Sequence, residues 1–308
     1  MWALHLTLRH TQWLPRAEIE AGQVEQLRTV LAHATAHAAG YRDVVGATAI
    51  DGITSLADLR RLPILSPQAR AEHAARLQTD VLPEDMPQTA PRRWWAALAL
   101  RDLEWCGFDP AEAAAFIRPG DAVGLLGQKL LEGASLPDWG APFEAIETGR
   151  GHVMDARQDV GQQLDWLARV RPRYLFVRSG HLGRLAEADR RVDSLRAVHA
   201  LGEPLSDAVR ASAEAVFGVP VTSTLSSDEA GYLASPCPDR AGWHVHEESV
   251  ILEVLDDGGA PCRTGRVVVT TLQDFRTPLI RYDTGHVAEA RGMPCPCGRA
   301  LTALTRYH

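Results

Sequence analysis

Apolar residues recur at helical spacing through residues 17–40, AEIEAGQVEQLRTVLAHATAHAAG, with Val24, Leu27, Val30 and Leu31 sharing a face and Gly40 closing the run. Beyond Tyr41-Arg42-Asp43, SLADLRRLPILSP predicts a short helix stopped by Pro63 and Pro67. Residues 91–106, PRRWWAALALRDLEWC, read as an amphipathic helix carrying Trp94, Trp95 and Trp105. A small apolar run from Ala122 to Leu131 has strand character and contains Lys129. From there helix and strand alternate: DVGQQLDWLARV, a break at Pro172, the strand RYLFVRS, the helix LGRLAEADRRV, strand and turn in SLRAVHALGEPLS, the helix DAVRASAEAVFG closed by Gly218, and the strand VPVTSTLSS. That alternation predicts an α/β domain, a mainly parallel sheet with flanking helices, over residues 1–220. After Gly231 the period shortens to strands, HEESVILEVLD and GRVVVTTL, joined by the Asp-Asp-Gly-Gly turn at 256–259. Residues 221–308 are therefore expected to form a smaller β-rich subdomain.

Composition narrows the functional classes. The 308 residues carry a formal charge of −7 with no basic stripe, which argues against nucleic acid as a partner. No apolar run approaches the roughly 20 residues of a membrane span. The start, MWALHLTLRHTQWLP, lacks a basic region followed by a long apolar core, so a cytoplasmic protein is expected. Among 32 basic residues Lys129 is the only lysine, so any chemistry that needs a lysine has one candidate.

Five cysteines without a secretory signal make a disulfide framework improbable and favour metal binding or free thiols. Cys237 is followed by His244 within CPDRAGWH, and Cys295-Pro296-Cys297-Gly298 comes later. Three thiols and one imidazole form a tetrahedral donor set suited to zinc. Four protein ligands leave no open position, so the role would be structural, with His246 as the reserve ligand. The alternative is two unrelated thiol clusters in a reducing cytosol. His33 and His37 share a helix face but have no third ligand nearby, and an ordinary helix surface explains them. Ser179 and His181 could mimic a nucleophile pair, yet no G-x-S-x-G elbow accompanies them.

The segment from Gly265 to His308 joins a β-branched run, Pro-Leu-Ile-Arg-Tyr, a glycine turn and Cys-Pro-Cys-Gly. Together with GYRDVV and SLADLRRLPILSPQAR near the start, it resembles the large domain of adenylate-forming ligases, in the phenylacetate–CoA ligase-like branch. The branch is similar too in its Cys…His…Cys-x-Cys arrangement. The resemblance implies activation of a carboxylate at the α-phosphate of ATP and transfer of the acyl group to a thiol. Such chemistry implies a Gly/Ser/Thr loop around the phosphates, an acid for magnesium, a carboxylate for the ribose and a lysine on a small C-terminal domain.

Position by position, the resemblance implies loss. Where the family carries its glycine-rich loop, this sequence reads LPEDMPQTAPRR (82–93), with no glycine, three prolines and two acids. Prolines remove N–H donors, and carboxylates repel phosphate. In VTSTLSSDEAGYLA, Leu225 replaces the family's adenine-stacking aromatic residue, Ser226 and Ser227 fit, Asp228 fills the variable place and Glu229 holds the magnesium position. In RYDTGH, Arg281 and Tyr282 are kept, but His286 stands where the family has its ribose-binding aspartate. Asp283 lies outside that position, and Lys129 is no substitute for the catalytic lysine, whose domain is expected to be absent.

The expectation is a shortened, degenerate member, with ATP and magnesium in doubt, that binds an acyl or aryl group, a partner enzyme or a carrier protein in bacterial specialised metabolism. The rival is a working ligase or acyl transferase with an altered nucleotide or acyl-donor site using Glu229 and His286, with Ser226, Ser227, Asp228, Arg281 and Tyr282 around the cofactor. A third reading is a non-catalytic partner subunit.

Overall fold

The computed structural model describes residues 2–45, 50, 52–79, 81–83, 90–119, 131–143, 146–292 and 295–308. They divide into two compact units, Asp102–Ser226 and the combination of Met1–Arg101 with Ser227–His308.

The Asp102–Ser226 unit is built on six strands: β1 (Ala114–Arg118), β2 (Ala134–Leu136), β3 (Gly151–Asp155), β4 (Tyr174–Arg178), β5 (Ala197–Leu201) and β6 (Val221–Ser223). Their order is β2-β3-β1-β4-β5-β6. All neighbours run parallel except the β2–β3 pair at one edge. Three helices, Val160–Val170, Ser179–Glu187 and Asp207–Phe217, supply the connections. Three of the ends are chemically marked. Asp159 accepts the Gly161 N–H at 2.8 Å, and Ser206 accepts that of Val209 at 3.2 Å. Gly218, with φ +68°, closes the last helix in the left-handed conformation. Ile117, Leu175, Val177 and Val198 of the sheet pack with Leu164, Leu167, Leu182 and Phe217 of the helices into one core. The middle helix ends earlier than the spacing predicts, before Asp189, which takes φ +46°. The 122–131 run and Lys129 fall, through residue 130, outside the described residues.

The other unit carries β7 (Leu225–Ser227), β8 (Gly231–Pro236), β9 (Trp243–Val245), β10 (Val250–Leu255), β11 (Thr264–Thr271), β12 (Tyr282–Ala290) and β13 (Ala303–Tyr307). The order is β10-β11-β12-β13-β9-β8-β7. The β10–β11, β11–β12, β12–β13, β13–β9 and β8–β9 pairs are antiparallel. The strand predicted over 219–227 is thus two strands, β6 and β7, one in each sheet. The helix Arg16–His37 places Leu27 and Leu31 in a cluster with Ile251, Leu272 and Ile280. A single cut at residue 220 therefore does not describe the compact units: the first 101 residues pack with the antiparallel sheet. Buried Arg101 helps tie them there, donating to Glu248 at 2.7 and 3.0 Å and to the Leu8 carbonyl at 2.7 Å. Among the described residues no helix is long and apolar enough to cross a membrane.

Candidate functional site

A Cys/His cluster forms where three strands and a turn meet. β8 ends at Pro236, placing Cys237 at the mouth of a turn that returns as β9, and the pairing sets Ser235 opposite His244. Gly242 makes the return possible: its φ is +102°, and a Cβ there would lie 1.9 Å from the Leu304 carbonyl oxygen. β13 pairs Ala303 with His244, which carries the preceding Cys295–Gly298 turn to the same place. The donor atoms of Cys237, His244, Cys295 and Cys297 all lie within 4.8 Å of one another. Cys237 and Cys295 sulfurs are 3.7 Å apart, and His244 Nε2 is 3.1 Å from Cys297 Sγ.

The imidazole is set for ligation. His244 donates its Nδ1–H to the Leu301 carbonyl at 3.2 Å, which leaves Nε2 as the lone-pair nitrogen facing the thiols. Burial lowers its pKa to about 4, so the ring is neutral at physiological pH. Burial raises Cys237 to about 11. Burial also pushes against ionisation of Cys297, but the Arg299 backbone and side chain and the neighbouring thiols outweigh it and draw its pKa down. Three sulfurs and a neutral nitrogen converging in a buried pocket fit a tetrahedral thiophilic cation. His246 is not part of the set; it engages Ser235 Oγ at 3.0 Å and Arg101 at 3.4 Å.

The positions compared with the nucleotide site separate into two groups. Ser227 Oγ accepts the Ala230 N–H at 2.9 Å, a tight turn that holds Asp228 outward and Glu229 at a small cleft. That cleft is lined by Trp94, Trp95, Glu229, Tyr232, Gln273 and Asp274, among others. Tyr282 donates its hydroxyl to Glu229 at 3.4 Å, and burial raises the phenol's pKa. Glu229 and Tyr282 are therefore together.

Arg281 is elsewhere. It is buried, donates to both carboxylate oxygens of Glu253 at 3.0 and 3.2 Å, and reaches the Leu62 carbonyl at 2.6 Å. Its backbone has φ +49°, an arrangement the surrounding contacts hold in place. His286 donates its Nδ1–H to the His308 carbonyl at 2.9 Å, with its ring 4.9 Å from that of Tyr307. Asp283 caps the turn through the Gly285 N–H at 2.9 Å. Ser226 belongs to β7 beside Ser227. Of the 82–93 segment, residues 84–89 lie outside the described residues.

Ser179 and His181 do not pair. Ser179 donates to the Glu203 carbonyl at 2.7 Å, and His181 engages Gln163 at 2.6 Å. A second cluster, Asp102, Cys106 and His199, is not apparent from residue spacing. Its signal was present in two ordinary patterns: Asp102 and Cys106 one turn apart on a helix, and His199 opposite Thr222 across β5 and β6.

No family model matches the chain. Solved structures of 2-hydroxyisobutyryl-CoA ligase share the fold: an open form with 2-HIB-AMP and CoA gives a TM-score of 0.74 at 19% identity, covering 95% of this chain and 69% of that one. The thioesterification-state structure gives 0.75 at 20% identity, covering 95% and 68%. Phenylacetate-coenzyme A ligase of Thermus thermophilus is 27% identical over 310 residues, covering 93% of this chain and 69% of that protein. The chain is thus similar to adenylate-forming ligases of the phenylacetate–CoA ligase-like branch. The likeness extends to the mixed α/β architecture. It leaves open which part of the ligase reaction this chain performs, since a fold does not fix an activity.

Proposed function

We propose that this chain does not activate carboxylic acids with ATP unaided, and acts as an accessory or repurposed acyl- or aryl-binding protein in bacterial specialised metabolism. The observation that carries the reading is His286. At the family's ribose position it replaces a carboxylate, and with Nδ1–H committed to the His308 carbonyl it offers a single acceptor, Nε2. One acceptor does not replace a carboxylate that holds two hydroxyls. Arg281 supports the same reading, because its guanidinium is engaged with Glu253 and Leu62 inside the sheet. The proline-rich, acidic 82–93 sequence adds to it.

Cys237, His244, Cys295 and Cys297 would hold a structural zinc, whose chemistry is to cross-link β8, β9 and the turn before β13. Reduced thiols serving as ligands agree with a cytoplasmic setting. A partner enzyme or carrier protein would supply or receive the acyl group.

One observation favours a second reading, a ligase with an altered nucleotide or acyl-donor site. Glu229 keeps the magnesium position and faces a cleft beside Trp94 and Trp95. Isothermal titration with Mg-ATP separates the two. The accessory reading expects no saturable heat, whereas binding that Glu229→Gln abolishes would favour the ligase.

A further inference from the structure

Inside the Asp102–Ser226 unit, a thiol, an imidazole and a carboxylate stand in line. Asp102 and Cys106 lie one turn apart near the end of the helix Ala90–Cys106. His199 sits in β5, paired with Thr222 in β6, so their side chains share a sheet face. Phe108 and Phe176 rings flank the imidazole, at 5.8 and 5.5 Å between centroids. His199 and Asp102 are buried, while Cys106 is half-buried and is the outermost member.

The hydrogen bonds give the line a direction. His199 donates Nε2–H to Thr224 Oγ1 at 3.0 Å, and the Thr224 hydroxyl in turn donates to Asp102 Oδ2 at 2.6 Å, an oxygen 3.0 Å from Nε2. With the Thr224 proton committed to the carboxylate, Thr224 Oγ1 accepts from Nε2–H and fixes the tautomer in which Nδ1 is the acceptor. Nδ1 accepts from the Thr222 hydroxyl at 2.8 Å, and the Cys106 thiol donates to Thr222 Oγ1 at 3.7 Å. Sulfur and Nδ1 are 3.9 Å apart. Burial and the Asp102 charge keep Cys106 protonated, so the thiol needs a base acting in the same step, and Nδ1 is placed to be one. A carboxylate and an imidazole among phenylalanines are costly to bury if they only fill space.

We propose that Cys106 is an acyl-accepting nucleophile, with His199 as its general base, Thr222 as the proton relay and Asp102 as a positioning residue. The substrate class, an acyl or aryl thioester, rests on the reading of this chain as an acyl-handling relative of the ligases. As sulfur attacks the thioester carbonyl, the thiol proton passes to Thr222 Oγ1 and the Thr222 proton passes to His199 Nδ1. The new C–S bond to Cys106 forms, the C–S bond to the donor breaks, and the proton returns from Nδ1 to the departing thiolate. The products are S-acyl-Cys106 and a free donor thiol, with no redox change.

The test is to incubate the purified full chain with benzoyl-N-acetylcysteamine, without ATP, and follow intact mass and peptide maps over time. One benzoyl group on Cys106, labile to hydroxylamine and absent in Cys106→Ser, is the expected result. His199→Asn should slow acylation by about a hundredfold. Thr222→Val should slow it and Thr222→Ser restore it, a pair that carries the test even if the histidine variant fails to fold. Asp102→Asn should lower the maximal acylation rate while leaving the half-saturating thioester concentration unchanged, a split that loss of packing would not produce. No adduct on the wild-type chain, an adduct on other cysteines only, or equal rates in the Thr222 pair would overturn the proposal. Because no nucleotide is present, such a failure leaves the reading of the ATP site untouched.

Discussion

Arg281 shows how a retained motif residue can mislead at the scale of one side chain. The Arg-Tyr pair invites a nucleotide role, but only Tyr282 reaches Glu229. Arg281 points the other way into a bidentate ion pair with Glu253. Breaking a buried pair strands a charge, which costs about 3–5 kcal/mol. Arg281→Ala should therefore lower unfolding stability by about 3 kcal/mol in urea titration, with no dependence on nucleotide. A normal melt with altered ligand binding would return Arg281 to the site. His286 is the complementary case. Its chemical difference from aspartate is plain in the sequence, but its commitment to a main-chain carbonyl is visible only in three dimensions.

At the scale of elements, local chemistry explains the ends and turns. The short 3-10 helix Leu56–Arg61 is capped by Asp58, whose carboxylate accepts the Thr54 and Ser55 N–H groups at 2.9 Å each. Those backbone donors hold its pKa down at about 2, against an ordinary value of 3.8. A depressed folded-state pKa adds stability that is fully present above the unfolded value and fades as pH falls through the folded one. Asp58→Ala should thus lower the Tm at pH 7. The deficit relative to wild type should shrink between 3.8 and about 2, as thermal melts across that range would show. A deficit independent of pH would mean that the carboxylate charge is not what caps the helix.

The turn that carries Cys237 to His244 makes a separate claim about metal. Purified protein should contain about one equivalent of zinc at this cluster, as expected for a closed structural site. Cys295→Ser with Cys297→Ser should remove that equivalent and lower the Tm, read by metal analysis and calorimetry. Unchanged metal content and melting would mean that the four side chains only pack together.

For the whole molecule, much of the fold was legible because its elements are strongly patterned. The helix Val160–Val170, the strand Tyr174–Arg178 and the helix ending at Gly218 follow directly from period and caps. The β10–β11 hairpin follows from Asp256-Asp257-Gly258-Gly259, where Gly259 has φ +80° and its N–H reaches the Asp256 carbonyl at 3.0 Å. The assignment of the first 101 residues to the antiparallel sheet was not legible. It depends on pairs such as Leu27 with Ile251, far apart in sequence, and on the buried Arg101–Glu248 ion pair. Helical spacing shows that a face is buried but not what covers it. The Asp102–His199–Cys106 line was hidden for the same reason, since its members come from a helix and a strand far apart in sequence.

The central claim is that this ligase relative has lost unaided acid activation. ATP–pyrophosphate exchange over a panel of aryl acids, with the isolated chain and magnesium, tests it most directly. The account predicts no exchange above the protein-free control for any acid. Acid-dependent exchange that disappears in Glu229→Gln would contradict it and establish a working adenylation site.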